Sequence, residues 1–396
     1  MMIARKSRCF LAAAAGSLLA GAVFAQQGQP PPLPIESTGV IQTLPARYAP
    51  SWFLVHDASF FHMSDGKVYV IDTAADTLAA QVKGTFNVSL IGNIAQAPGR
   101  GEIYATQTFH SRGSLGDRVD VLTIFDMQTL APQGEVILPT GKRFMGMPQH
   151  YAVLPLNDER WLGVANFSPA TSVTLVDLDS RKIISEIPTP GCVLAYPTGK
   201  RGFSSLCADG RFLSTELAAD GSVAKQVRTD AFFDSNTSPI FERPTIIGST
   251  AYFPSFAGLV YPVDMSGSVA RVGEPWNLVP EAERAAKWAP GGLGLIDKDD
   301  QGRFYVIMHP DATDGTHQRG GPEVWVYDPV KKQRVQRIVL KSWGLSLALS
   351  RGKDPVLMVV NPNDMSLEMY KTGNGEFIRT ITGFGQATPL LVQGSK

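Results

Sequence analysis

The residues whose chemistry could support catalysis are scattered along the sequence. The histidines stand at positions 56, 62, 110, 150, 309 and 317 and do not cluster at metal-ligand spacings. Asp311, Asp314 and His317 come nearest to a cation site, but a calcium loop needs acids at alternating positions and a later bidentate Glu. We therefore interpret that segment as a hydrogen-bonded turn.

The short motifs of the common enzyme classes are missing from the sequence. It contains no GxSxG elbow, no GxGxxG or GxxxxGK[ST] phosphate loop and no HExxH zinc motif. The stretch Gly291-Gly292-Leu293-Gly294 favours a tight turn over phosphate binding. The sequence therefore predicts no catalytic residue and no metal ligand in this chain.

An internal repeat predicts the strands that would position any functional site. Each copy is a run of alternating β-branched and aromatic residues, a turn, and a second such run, as in VWVYDPVKKQRVQRI. The first run ends at Asp72, Asp126, Asp177, Glu216, Asp264, Asp328 and Lys371 in the seven copies. The mean period of about 50 residues is in the range of propeller blades. The repeat predicts an all-β, seven-bladed β-propeller with four-stranded antiparallel blades.

The acidic residue that recurs at the end of the first run has a structural explanation. An Asp at a strand end accepts hydrogen bonds from the backbone amides of the turn that it opens. Its replacement by Glu216 and Lys371 agrees with that role. We expect these residues to fix hairpins and not to take part in a reaction.

Two single strands remain outside the seven hairpins. One lies between Trp52 and Met63, and the other runs from Thr388 to Gln393. Neither end of the chain completes a blade alone, but both strands together with the first hairpin do. The sequence therefore predicts a ring closed by both termini, which removes free sheet edges.

One segment has a helical signal. Residues Pro280 to Trp288, PEAERAAKW, begin with Pro and early acids and place Glu283 and Lys287 at i, i+4. We expect a short surface helix that the following Ala-Pro-Gly-Gly stops.

The N-terminus is typical of an exported protein. Residues 1–25 have Arg5, Lys6 and Arg8 before an apolar run, and then small residues at Val23 and Ala25. This predicts a signal peptide cleaved near Ala25 and a periplasmic protein without a membrane span. Residues 26–50 are rich in Pro and Gln, so they form either an extended arm or a disordered tail. Residues 51–396 are expected to form the propeller.

Charge and cysteine content narrow the function further. Removing the signal peptide leaves 33 Lys and Arg against 36 Asp and Glu, which argues against a nucleic-acid partner. It also leaves Cys192 and Cys207 as the cysteines of the mature chain. In an exported protein they are expected to form a disulfide between neighbouring strands of one blade, because their spacing excludes a CxxC redox pair.

Several motifs resemble those of a known family. They are TFN at 85–87, SPATS at 168–172, GC at 191–192 with CADG at 207–210, EPWNL at 274–278, WAPGG at 288–292 and GRFYVIMHPDATDGTH at 302–317. With these motifs, residues 45 to 390 resemble the heavy subunits of quinoprotein amine dehydrogenases. The resemblance is nearer to the aromatic amine dehydrogenase heavy subunit than to the methylamine dehydrogenase heavy subunit.

The resemblance implies an assembly as well as a fold. Family members are seven-bladed propellers, and two heavy chains assemble with two small, cysteine-rich light chains in the periplasm. The light chain carries the tryptophan tryptophylquinone made from two of its tryptophans. With two mature cysteines, this chain is expected to be the subunit without a cofactor. The enzyme would oxidise primary amines, aromatic or aliphatic, to aldehyde and ammonia, and pass electrons to a blue-copper protein such as azurin or amicyanin.

One site residue follows from the resemblance. Phe86, in Gly84-Thr85-Phe86-Asn87, matches the heavy-chain Phe that lines the amine channel at the light-chain interface. From the residues alone, a Phe after a Gly more often packs in a core. A second function also stays open, a stand-alone exported propeller that binds a ligand or a protein.

Overall fold

The computed structural model describes residues 42–59, 65–89, 92–143 and 147–396. The expected signal peptide and residues 26–41 of the expected arm lie outside the described residues. Residues 42–50 lie on the second blade, where the Leu44 amide donates to the Gln128 carbonyl (2.8 Å) and the Tyr48 hydroxyl donates to the Met127 carbonyl (2.6 Å).

The described strands form seven antiparallel sheets, each with a path of four strands. Blades one and two contain β1 (Trp52–Ala58), β2 (Gly66–Asp72), β3 (Val82–Asn87), β4 (Asn93–Ala97), β5 (Glu102–Arg112), β6 (Leu115–Asp126) and β7 (Pro132–Ile137). Blades three and four contain β8 (Val153–Leu156), β9 (Trp161–Asn166), β10 (Ser172–Asp177), β11 (Lys182–Pro188), β12 (Cys192–Pro197), β13 (Gly202–Cys207), β14 (Phe212–Leu217) and β15 (Val223–Arg228). The seven-bladed propeller is confirmed.

The remaining blades follow the same order with two additions. Blade five contains β16 (Thr245–Ile247), β17 (Thr250–Pro254), β18 (Leu259–Asp264), β19 (Arg271–Val272) and β20 (Trp276–Asn277), which also pairs with β18. Blade six contains β21 (Ala289–Pro290), β22 (Ile296–Lys298), β23 (Phe304–His309), β24 (Gly321–Asp328) and β25 (Gln333–Gly344). Blade seven contains β26 (Ser346–Leu349), β27 (Val356–Asn361), β28 (Ser366–Lys371) and β29 (Phe377–Ile381), and β30 (Thr388–Gly394) is the last strand.

The ring closes as the sequence predicts. β30 pairs with β1, with Phe53 opposite Gly394, and β1 continues into β2 and β3. The first blade therefore contains strands from both ends of the chain. The edge of β1 that faces the central channel is paired with β30.

The recurring Asp residues close the predicted turns. The Asp126 carboxylate accepts from the Gln128 and Thr129 amides (2.9 and 2.7 Å). The Asp328 carboxylate accepts from the Val330 and Lys331 amides (both 3.0 Å). The structural explanation of these acids is confirmed.

The predicted helix is present with a different geometry. Glu281–Ala286 is a 3-10 helix, and it ends where Lys287 takes a left-handed conformation with φ of 47°. The expected Glu283–Lys287 pair is wrong, because Glu283 instead accepts from Arg334 Nη1 (2.9 Å) on β25. A one-turn α-helix, Leu78–Gln81, begins after its cap Thr77 and was not predicted.

The expected disulfide is confirmed. Cys192 on β12 and Cys207 on β13 lie directly opposite each other and are bonded, so they join neighbouring strands of the fourth blade. In the chain-entropy account, a bridge over 15 residues stabilises the fold by about 3 kcal/mol.

Candidate functional site at the loop face

Strand order gives the propeller two different faces. Since the strands alternate in direction, the turn after the innermost strand and the turn after the third strand of a blade share one face. We call this the turn face. Hairpins between the second and third strands, and the connections between blades, share the opposite loop face. Asp126 and its counterparts therefore lie at the turn face.

The longest hairpin of the second blade rises at the loop face. Its strands β5 and β6 have 11 and 12 residues, against six in each of β13 and β14 of the fourth blade. Phe109 and Val119 are directly opposite each other on this hairpin, and both are 42% exposed. Leu115, near its tip, is 66% exposed. An extended hairpin thus presents apolar side chains to solvent.

A loop of the third blade is tied to the other side of this hairpin. Phe167 is 56% exposed, and its amide donates to the Lys142 carbonyl (2.8 Å). Arg143, which follows Lys142, forms a β-bridge with Asn166, and its side chain donates to the Thr108 hydroxyl on β5. Arg143 therefore links this loop to the hairpin. We call Phe109, Leu115 and Val119 the hairpin patch. Exposed apolar groups of this kind commonly mark an interaction surface.

A buried charge network supports the hairpin patch. The fully buried Asp120 accepts from the Thr108 hydroxyl (2.5 Å), from Arg118 Nε (3.1 Å) and from the Gly141 amide (2.7 Å). Arg143 Nε donates to the Thr108 hydroxyl (2.8 Å) and lies 3.8 Å from the Asp120 carboxylate. Burial lowers the pKa of Arg143 to about 10, although the Asp120 charge opposes that shift. The network fixes the base of the hairpin to the connection that follows the blade.

The structure places Phe86 in the core between the first two blades. It is 3% exposed, pairs in register with Val68, and its ring lies 4.7 Å from the ring of Phe125. This position agrees with the packing alternative. The proposed channel role depends on a partner chain and stays a prediction.

The central channel narrows towards the loop face. The Arg243 guanidinium donates to the Gln149 side-chain oxygen (2.9 Å) and to the Leu293 carbonyl. The Gln149 backbone amide donates to the Asn93 side-chain oxygen (2.7 Å). These bonds join connections between blades across the axis, and of these residues the sequence pointed only to Leu293, as part of a turn.

The segments weighed as ligand sites form turns. The Thr316 amide and hydroxyl both donate to the Thr313 carbonyl (3.1 and 2.8 Å), which gives the expected turn between Asp311 and His317. Gly292 has φ of 127°, and a Cβ there would lie 2.4 Å from the Leu345 carbonyl. Its position therefore requires glycine for a close backbone approach. In the described part of the chain, no group of three or more His, Cys, Asp or Glu residues is placed to hold a metal ion.

Two tryptophans of this chain lie close to each other, so we ask whether they could form a quinone made from two tryptophans. The rings of Trp288 and Trp325 lie 5.1 Å apart. Trp325 is fully buried, its Nε1 donates to Glu323 (2.6 Å), and the Arg334 guanidinium stacks on it at 4.2 Å. Trp288 is partly buried beneath the Arg337 guanidinium, which lies 5.1 Å from its ring. Because a redox quinone needs access to its substrate, this packed pair does not fit that group.

Comparison with known proteins gives the family. Residues 51–394 match the family model of the methylamine dehydrogenase heavy chain. The methylamine dehydrogenase heavy chain of Methylophilus methylotrophus is 26% identical, over 86% of this chain and 83% of that protein. The heavy chain of the same name from Methylorubrum extorquens is 26% identical, over 86% of this chain and 82% of that protein.

Solved structures of low sequence identity share the fold. A protein from Lactobacillus plantarum has a TM-score of 0.56 and 11% identity, covering 86% of this chain and 98% of that one. The dihydro-heme d1 dehydrogenase NirN in complex with DHE has a TM-score of 0.54 and 14% identity, covering 90% of this chain and 72% of that one. At these identities the likeness concerns the fold alone.

Fold and surface together define a seven-bladed β-propeller with an apolar patch on its loop face. The match across the whole propeller makes the assignment more specific. The chain belongs to the methylamine dehydrogenase heavy chain family. No helix in the described ranges is both long and apolar enough to cross a membrane.

Proposed function

We propose that this chain is the heavy subunit of a periplasmic quinoprotein amine dehydrogenase that oxidises primary amines to aldehyde and ammonia. The observation that carries this proposal is the family match over residues 51–394. The partner is a small, cysteine-rich light chain, and the assembly contains two heavy and two light chains. A blue-copper protein such as azurin or amicyanin accepts the electrons.

The proposed division of chemistry between the subunits rests on the family resemblance, and the residues of this chain support it. The tryptophan tryptophylquinone of the light chain supplies the oxidation when the two chains are assembled. This chain supplies a rigid apolar surface that excludes water from the joint site. The buried Asp120–Arg143 network supports this role, because it holds the hairpin patch on a fixed base.

The first experiment tests assembly through the hairpin patch. Leu115→Asp places a charge on an apolar side chain that is 66% exposed, and it should weaken light-chain binding at least tenfold in a co-purification titration. Val330→Asp is the matched control, because Val330 is 90% exposed on a turn-face hairpin. Equal binding by both variants would place the light chain elsewhere.

The second experiment tests the division of chemistry. The heavy chain expressed alone should show no amine-dependent dye reduction, while co-expression with a neighbouring cysteine-rich light chain should restore it. Amine oxidation by the heavy chain alone contradicts the proposal. A chain that binds no light chain supports the alternative of a stand-alone exported propeller.

Phe86 is proposed to line the amine channel at the light-chain interface. It lies one residue from the loop-face end of β3, which supports the proposal, although in this chain its ring packs on Phe125. Phe86→Ala in the assembled enzyme should shift the relative kcat/KM of short aliphatic and aromatic amines by about tenfold, which corresponds to about 1.4 kcal/mol of pocket discrimination. Unchanged amine preference with a large loss of thermal stability would make Phe86 a core residue only.

Export is proposed from the N-terminal sequence, with cleavage near Ala25. N-terminal sequencing of the protein recovered from the periplasm should begin at Gln26. Recovery of the intact N-terminus from the cytoplasm would contradict this localisation.

A further inference from the structure

The turn-face end of the central channel opens into a cavity of about 560 Å³. It lies where the innermost strands of the blades end, so every blade faces it. Its apolar wall includes Ile94, Val153, Leu154, Ile296, Leu347 and Val392. This volume is in the range of pockets that hold small organic molecules.

The cavity has a closed, neutral floor. Towards the loop face it narrows past His150 to a space of about 10 Å³ bounded by His56, Asn93 and Gln149. Burial lowers the pKa of His150 to about 4, so its imidazole is neutral near pH 7. A bound molecule would therefore enter from the turn face and end against an uncharged group.

Charged residues surround the cavity mouth, and most have an opposite charge nearby. Arg351 lies 3.9 Å from the Asp297 carboxylate, which also accepts from the Leu349 amide (2.9 Å). At the rim, Lys396 is influenced by the charge of Glu159. Exposed Lys200 and Asp158 complete the charged groups of this lining.

Lys298 differs from these neighbours. It is half-buried, its ammonium donates to the Ile246 carbonyl, and among the described residues no carboxylate oxygen lies within 4.0 Å of it. Burial lowers its pKa and the nearby Arg351 charge lowers it further, whereas the charges of Asp297 and Asp300 oppose that shift. A half-buried cation beside a second cation is a favourable position for an anion.

We propose that this cavity binds a small organic carboxylate, with its carboxyl group at Lys298 and Arg351 and its hydrocarbon part against the aliphatic wall. A bare inorganic anion would leave that wall uncovered, and a neutral molecule would leave the Lys298 ammonium without a direct ion pair. The combination of charge and apolar surface therefore selects an amphipathic anion.

The test uses the mature full-length heavy chain and isothermal titration with octanoate. Octanoate should bind, and 1-octanol, which has the same chain length without the charge, should bind at least tenfold more weakly. Lys298→Gln keeps most of the side-chain length and should raise the Kd of octanoate at least tenfold. Lys331→Gln is the matched control, because this lysine is 70% exposed on a distant hairpin, and it should leave the Kd unchanged.

A charge-conserving variant separates binding from folding. Lys298→Arg should retain octanoate binding within threefold, and circular dichroism should show the same thermal unfolding for all variants that are titrated. No octanoate binding by the wild-type chain, or equal affinity for octanoate and 1-octanol, would overturn the proposal. Because the measurement is binding by this chain and not amine oxidation, its result does not depend on the proposed enzyme activity.

Discussion

The turn face and the loop face join the same strands with different interactions. At the turn face, one pattern recurs, in which a carboxylate such as that of Asp126 or Asp328 accepts from amides two and three residues later. At the loop face, Asp120 and Arg143 meet across 23 positions of the sequence and are buried together. The recurring turns are thus fixed by local bonds, whereas the long hairpin of the loop face depends on contacts between distant residues.

The largest effect is expected from breaking the loop-face network. Asp120→Ala should destabilise the protein by about 3–5 kcal/mol, because it leaves the buried Arg143 guanidinium without its counter-charge. Urea unfolding at pH 7 measures this loss. A loss of less than about 1 kcal/mol would show that the network contributes to the shape of the hairpin and not to stability.

The second prediction concerns the pH dependence of stability, which should differ between the channel and the turn face. Burial in the channel lowers the pKa of His56 from 6.5 to about 4. Between these values the unfolded chain binds more protons than the folded chain, so stability should fall as the pH is lowered from 6.5 towards 4. For a fully buried imidazole this amounts to about 2 kcal/mol at pH 5. His56→Gln should reduce the loss between pH 7 and pH 5, measured by urea unfolding.

The turn face provides the contrast for that measurement. The Ser180 amide, which donates to Asp177, lowers the pKa of that carboxyl below its usual 3.8. A carboxyl with a lowered pKa stabilises the fold above its unfolded pKa, and this contribution is lost only as the pH falls below about 3.8. If His56→Gln lost as much stability as the wild type between pH 7 and pH 5, His56 would not be a source of the pH sensitivity.

The smallest effect is expected from removing a single turn-face carboxylate. Asp126→Ala removes the acceptor of the Gln128 and Thr129 amides, which water can still reach at this exposed turn. The loss in unfolding free energy should be about 1 kcal/mol. Differential scanning calorimetry of Asp126→Ala beside Asp120→Ala compares the two faces directly, and an equal fall in Tm for both would contradict the distinction.

The contrast between faces also explains which parts of the fold could be predicted from the sequence. Strand alternation and the Asp at each turn are local patterns, so they revealed the blade count and the hairpins. The pairing of β30 with β1 was predictable because neither of the two single strands could complete a four-stranded blade without the other. The partner of Glu283 was not, since Arg334 lies 51 residues away and a helical spacing to Lys287 was equally plausible.

The candidate site was less predictable for the same reason. The length of β5 and β6 was not predicted, and only the fold shows that Phe109, Leu115 and Val119 lie together on one side of an exposed hairpin. Phe86 was open to two interpretations, and its burial against Phe125 describes only its surroundings within this chain. The cavity at Lys298 is formed by the ends of innermost strands from all blades, so no local pattern indicates it.

The closing blade has a consequence for the order in which the molecule folds. β30 contributes the innermost strand of a sheet whose other three strands are the first to be synthesised. Six blades can form as the chain emerges, but β1 keeps an unpaired edge until the final strand arrives. The entropy of joining such distant segments grows only slowly with length, by about 0.6 kcal/mol for each doubling. Ring closure is therefore a late step in time, and an incomplete chain would expose the strand edge that the finished ring conceals.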